Sequence, residues 1–192
     1  MTGERLDRYL AMLFSWNEGA GLTAFKNRNE ALLKGVETAE AALPLLPESG
    51  EVLDVGSGGG FPAVPIALKR PSLHFTLCEP APLKAAFLRA AARELGLAME
   101  VVELQASEFL AKSGSAFNAA TVRGVKIRPP LLKALRRSML PGSVLVVWTG
   151  AAQAVEYGAG MKRLGFAASP PTGLKDGSVL LCGTVPRGTV AR

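Results

Sequence analysis

The chain has 192 residues, 48% of them hydrophobic, with a formal net charge of +6. That length accommodates one well-buried domain with a modest extension and excludes two ordinary domains. Its 21 glycines and 13 prolines lie below the level of low-complexity chains, there is no fixed-period repeat, and no apolar run approaches the roughly 20 residues that span a bilayer.

The N-terminus, MTGERLDRYLAMLFSWNEG, mixes acids with bases and has no cleavage-site pattern, so a cytoplasmic protein with no membrane association is expected. Leu6, Leu10, Leu13 and Phe14 recur at helical spacing, WNEGAGLT interrupts the pattern, and residues 28–46 resume it until Pro44 and Pro47. Residues 1–48 are therefore expected to form a helical cap ahead of a second segment, 49–192. From Gly50 onward, short apolar runs alternate with longer amphipathic ones. EVLDV precedes a helix over 62–70, and LHFTLCE precedes one over 82–95. MEVVEL and FNAATV follow, then a helix over 130–139, SVLVVWT, and a helix over 152–164. FAASP and SVLLCGTV close the series, with Lys175-Asp176-Gly177 between them leaving no room for a helix. Alternation of this kind predicts an α/β fold, a doubly wound, mostly parallel seven-stranded sheet, with one late strand antiparallel at or near the edge.

Charge is unevenly spread. Residues 1–50 hold seven acids and five bases, whereas residues 51–192 hold nine acids and seventeen bases. The stretch RGVKIRPPLLKALRR, residues 123–137, contains six bases and no acid. It has the electrostatic footprint of a polyanion binder, although a merely solvated basic face would look the same. Cys78 and Cys182 lie inside apolar runs without metal-ligand spacing and are expected to be buried thiols, so no metal is expected. His74, the only histidine, sits beside Phe75 in a strand and reads as structural.

In a sheet of this kind, ligands bind outside the carboxyl ends of the strands. The first strand runs into Asp54-Val55-Gly56-Ser57-Gly58-Gly59-Gly60, where glycine permits positive φ and close approach of a ligand to main-chain N–H groups. An ordinary tight turn is the plain alternative. A dinucleotide fingerprint needs a glycine at position 61, which is Phe61. The spacing present, acid-x-G-x-G-x-G, resembles instead the first motif of S-adenosylmethionine-dependent methyltransferases. Asp54 and Glu79, the latter at the end of the second strand, are then the polar anchors of S-adenosyl-L-methionine. Residues 105–108 would line its adenine pocket, and Arg123 at the fourth strand end would face a carboxylate or anion.

LDVGSGGGFPAVPIALKRP followed by FTLCEPAPLKAAFLRAAARELGL resembles the glucose-inhibited division protein B family, bacterial methyltransferases of guanine N7 in 16S ribosomal RNA. Trp16-Asn17 and Leu22-Thr23 are similar to its WN…NLT element, and the pair Glu79 and Lys84, the FLR at 87–89 and Arg123 fall in the family's order. The resemblance implies cofactor contacts at Asp54, Gly56, Gly58, Gly60, Phe61, Glu79, Ala106, Ser107, Glu108 and Arg123. It also implies ribosomal RNA or the small ribosomal subunit as partner, with Lys84, Arg123, Lys126 and Arg128 as substrate contacts. A monomer is expected. Departures stand at Gly21 in place of the Asn of N-L-T, at Gly35 and Thr38 in place of an H-x-x-D-S element, and at Thr149 in place of a lysine.

Guanine N7 offers an in-plane lone pair and no proton, so its methylation needs positioning rather than a general base. No catalytic residue is assigned on that reading, Arg123 being the best candidate. A small-molecule methyltransferase and a non-catalytic RNA-binding relative remain as alternatives. The first needs a closed pocket and no basic stretch, and the second keeps the fold without turnover.

Overall fold

The computed structural model describes residues 2–188. Met1 and residues 189–192, the outer ends of the two expected segments, lie outside them.

Helix α1 (Thr2–Ala20) runs through Trp16-Asn17-Glu18, later than the expected break. Gly21 ends it at φ +57°, donating its N–H to the Asn17 carbonyl, while Asn17 Oδ1 accepts from Thr23 N–H at 2.8 Å. One asparagine thus fixes the exit of the chain. Asn27 caps α2 (Arg28–Glu30), which passes through a π-helical stretch, Ala31–Val36, into α3 (Glu37–Glu40).

Then β1 (Gly50–Val55), α4 (Ala63–Lys69), β2 (Leu73–Cys78), α5 (Pro82–Leu95) and β3 (Met99–Val102) follow in order. Proline opens α5, and Gly96 closes it in the left-handed region at φ 56°. Helix α6 (Ala106–Ser113) comes next, then β4 (Phe117–Arg123), α7 (Pro129–Arg137), β5 (Met139–Thr149) and α8 (Ala151–Arg163). Periodicity alone did not indicate α6, because its eight residues carry no long apolar stripe. The chain ends in β6 (Ala167–Ala168), β7 (Thr172–Gly173) and β8 (Val179–Thr184).

The strands form an α/β sheet of order β3-β2-β1-β4-β5-β8-β6, with β7 also on β8. The first five are parallel, and β8 runs antiparallel beside β5, with β6 and β7 paired to it. Eight strands replace the expected seven because a further short strand, β7, forms after Pro170-Pro171, where proline, having no N–H to give the ladder, has ended β6. Strands β1, β2 and β4 are apolar and buried on both faces, as helices on both sides of a parallel sheet require.

Two apolar clusters fill those faces. Tyr9, Leu10, Leu13, Ala31 and Ala39 of the N-terminal helices pack into the first, with Val52, Ile66, Phe75 and Phe87. The N-terminal helices and the sheet therefore share one core. Leu53, Val122, Leu135, Tyr157 and Met161 belong to the second cluster, under α7 and α8. Among the described residues no helix is long and apolar enough to cross a membrane.

Candidate functional site

The order β3-β2-β1-β4-β5 reverses direction between β1 and β4, so the chain leaves those two strands toward opposite faces and opens a crevice at their carboxyl ends. The glycine loop lies in that crevice. Gly56, Gly58 and Gly60 have φ of 68°, 53° and 92°, a region that side-chain-bearing residues rarely adopt. A Cβ on Gly56 would also stand 2.4 Å from Val125 Cγ2. Gly56 and Ser57 donate their N–H groups to the Cys78 carbonyl, which ties the loop to the end of β2.

Glu79 holds the loop from the other side. Its carboxylate accepts from Gly58 N–H at 2.8 Å and from Ala81 N–H at 2.9 Å, so it bridges two strand ends. Each oxygen retains a second lone pair for a ligand hydroxyl. Beside it, a cavity of about 200 Å³ is lined by Val55, Gly56, Cys78, Pro80, Gln105, Ala106, Ser107, Val125 and Leu131. Ala106 and Ser107 are the first turn of α6, not a free turn, and Glu108 points away to pair with Lys112 at 2.8 Å.

Asp54 is fully buried at the end of β1. Its Oδ1 accepts from Thr121 Oγ1 at 2.6 Å, and its Oδ2 has no partner among the described residues. Burial pushes its carboxyl up to about 6, against the hydrogen bond from Thr121 that favours the charged form. A buried carboxylate oxygen without a donor is costly, and a cationic or hydroxyl donor brought by a ligand would satisfy it.

Arg123 ends β4, the strand end at which it was expected. Its guanidinium, 18% exposed, donates to Thr38 Oγ1 at 2.9 Å and to the carbonyls of Gly35 and Lys34. Asp176 of the turn before β8 lies 3.9 Å away. The expected carboxylate partner is there, but the group faces the N-terminal helices and not the open basic surface. Trp148 Nε1 donates to the Thr38 carbonyl at 2.7 Å, so β4, β5 and the turn before β8 all clasp the same helical turn.

Phe61, too, turns toward that layer, packing edge-on against Tyr9 and Phe25 at 5.4 and 5.5 Å. Gly35 makes room for it, since a Cβ there would meet the Phe61 ring at 2.6 Å. Tyr9 donates to the Gly59 carbonyl at 2.6 Å and completes the link between α1 and the glycine loop. Tyr9, Thr121 and Trp148 were not singled out in the sequence, and Thr38 only as a departure from the family's pattern. They read as core or ordinary polar positions, and only the fold brings them to the loop.

Lys126 and Arg128 are exposed on the segment after β4, while Lys84 is half-buried in the first turn of α5. A second cavity of about 440 Å³ opens beside Lys126, lined by Gly124, Val125, Lys126, Trp148, Thr149, Gly150, Gln153, Glu156 and Tyr157, and neither Lys84 nor Arg128 lines it. Val125 forms part of both cavities and divides them. Among the described residues no cluster of His, Cys, Asp or Glu could hold a metal ion.

Known proteins with this architecture include a S-adenosylmethionine-dependent methyltransferase from Aquifex aeolicus, at TM-score 0.68 and 14% identity, covering 90% of this chain and 98% of that one. A T. thermophilus 16S rRNA methyltransferase, solved with AdoMet and guanosine, superposes at TM-score 0.65 and 15% identity over 84% of this chain and 44% of that one. These likenesses establish the fold. In sequence, the chain is 40% identical over 126 residues to the ribosomal RNA small subunit methyltransferase G of Sorangium cellulosum, covering 63% of this chain and 53% of that protein. It is 33% identical over 147 residues to the protein of the same name from Wolinella succinogenes, covering 77% and 75%. The match spans about half the length of the Sorangium relative. The sequence signature of the GidB family, rRNA small subunit methyltransferase G, matches residues 2–171, from α1 through the glycine loop and both cavities to α8. With that signature spread over the whole crevice, the chain belongs to the rRNA small subunit methyltransferase G family.

Proposed function

We propose that the protein transfers a methyl group from S-adenosylmethionine to N7 of a guanine in 16S ribosomal RNA. The observation that carries this reading is the pairing of a carboxylate-flanked glycine loop with a separate open cavity on a basic face. Small-subunit RNA is the substrate named for the relatives.

The residues present fit that cofactor. Glu79 would take the ribose hydroxyls, Asp54 Oδ2 would take a donor from the amino-acid end, and Ala106 with Ser107 would flank the adenine. Gly56, Gly58 and Gly60 leave their main chain clear for it. Phe61 and Arg123 would serve by fixing the layer that backs the loop, and Glu108 by pairing within α6. When bound, the cofactor supplies an electrophilic methyl on a sulfonium. The chain's own contribution is to hold the acceptor still and exclude water, because N7 has no proton for a base to remove. The larger, half-open cavity beyond Val125 suits a base presented by a macromolecule better than a closed small-molecule site.

Lys126 and Arg128 would bind phosphates. Replacing either with alanine should weaken RNA binding regardless of sequence and reduce the slope of log K against log salt by about one. Filter binding between about 50 and 200 mM salt checks this. RNA binding that ignores ionic strength would favour a small-molecule methyltransferase.

A further inference from the structure

Between Glu108 and Asp176 the chain carries a single acid, Glu156, among ten lysines and arginines. It lies on α8 past the first turn, beyond the reach of a stabilising helix dipole. Residues 152, 153, 159 and 160 are Ala, Gln, Ala and Gly, so no base stands three or four places along the helix to pair with it. The exposed carboxylate makes no hydrogen bond or ion pair among the described residues. A bare negative charge on a face meant for phosphate opposes binding, so folding and RNA affinity alone leave it unexplained.

Its place in the cavities suggests a use. Glu156 and Tyr157 line the 440 Å³ cavity at the strand ends, and also an apolar groove of about 640 Å³ that continues between α7 and α8, with Lys133 and Arg163 among its lining. Tyr157 is fixed, its hydroxyl accepting from Ile127 N–H at 3.2 Å. One wall of the smaller cavity is Gly124–Lys126 and Trp148–Gly150, adjoining the glycine loop through Val125. The rest of its lining is α8, which continues from Gly150 and carries Gln153, Glu156 and Tyr157.

Guanine has matching chemistry on opposite edges. Its N7 lies on one side of the purine, and the N1–H and N2–H₂ donors lie on the other. A base with N7 toward the glycine loop turns those donors toward α8.

We propose that Glu156 is the specificity-determining residue of the base pocket, its carboxylate accepting from N1–H and N2–H₂ of the target guanine. Adenine would set the N1 lone pair against the carboxylate and be rejected, and inosine would lose one of the two hydrogen bonds. The role rests on the methyltransferase reading above.

The test uses the full-length protein and small-subunit rRNA in which the mapped target guanosine is kept or replaced by inosine through splinted ligation. Wild type should methylate the guanosine RNA with a kcat/KM about tenfold or more above that of the inosine RNA. Glu156→Gln and Glu156→Ala should lose about 5- to 150-fold on guanosine and narrow the guanosine-to-inosine ratio to below about threefold. A purely electrostatic role has the opposite sign, because removing a negative charge from a basic face tightens RNA binding. Variants that keep the wild-type rate and ratio, or exceed that rate, overturn the proposal while leaving the methyltransferase reading intact. Failure of the wild type to label RNA at all overturns both. As Glu156 is exposed, the variants should fold, and an unchanged unfolding midpoint will verify that.

Discussion

Asp54→Asn is expected to stabilise the ligand-free protein at pH 8 and to weaken its hold on S-adenosylmethionine. Burial raises the Asp54 carboxyl from 3.8 to about 6, so the ionised form is penalised in the folded chain relative to the unfolded one. The penalty is fully present above about 6 and shrinks as pH falls, disappearing below 3.8, where both states hold the proton. At about 1.4 kcal/mol per unit, the cost approaches 3 kcal/mol, and an amide that must find its own acceptors should recover about 1 to 2 of it. Denaturant unfolding at pH 8 should therefore favour the variant, and at pH 4 the difference should close. Equal gains at both pH values would mean that the charge is not the cause. Binding should move the other way. Affinity for the cofactor should fall about 10- to 100-fold in the variant, and in the wild type it should decline as pH drops through 6. A carboxylate that costs stability until a ligand meets it is the usual signature of a site that trades stability for binding.

Removing Arg123 should have the largest effect on stability. Its guanidinium is enclosed by the Lys34 and Gly35 carbonyls, the Thr38 hydroxyl and Asp176. Arg123→Ala would leave those acceptors without donors and Asp176 without its counter-charge, a loss of about 3 kcal/mol or more. Arg123→Lys should recover only part of it, since a point charge cannot span the same acceptors as a planar fork. Thermal unfolding gives the magnitude, and limited proteolysis should show the first cuts moving into residues 20–48. The salt slope of RNA binding should stay at its wild-type value, in contrast to Lys126→Ala and Arg128→Ala. A stable Arg123→Ala protein with a reduced slope would return this residue to the RNA face.

Much of the sheet was readable because its strands are buried on both faces and read as apolar runs, and because proline and glycine punctuate the helices. The glycine loop was readable for a related reason. Three left-handed positions at alternate residues past a strand end leave little choice of residue. What escaped was set by tertiary contact. Helix α6 is too short for periodicity to announce, and β7, two residues paired to β8 after Pro170-Pro171, is too short to read as a strand.

Arg123 was placed correctly at a strand end, but the helices that would enclose it were out of view, so its partner could be named only as a carboxylate or an anion. The same enclosure makes sense of the departures at Gly35 and Thr38. Gly35 admits the Phe61 ring, while Thr38 offers its hydroxyl to Arg123 and its carbonyl to Trp148, with Asp176 supplying the carboxylate from another part of the chain. Those changes act in the clasp between the helices and the sheet. Thr149, by contrast, lines the open cavity, so of these three departures it is the one at the proposed substrate site.

The most direct test is methyl transfer itself. Incubated with radiolabelled S-adenosylmethionine and small ribosomal subunits, or their RNA, from a methylation-deficient strain, the protein should place label in 16S rRNA at a single guanine, mapped as the N7-methyl base. Cofactor binding with no label in RNA, or label on any atom other than guanine N7, would contradict it.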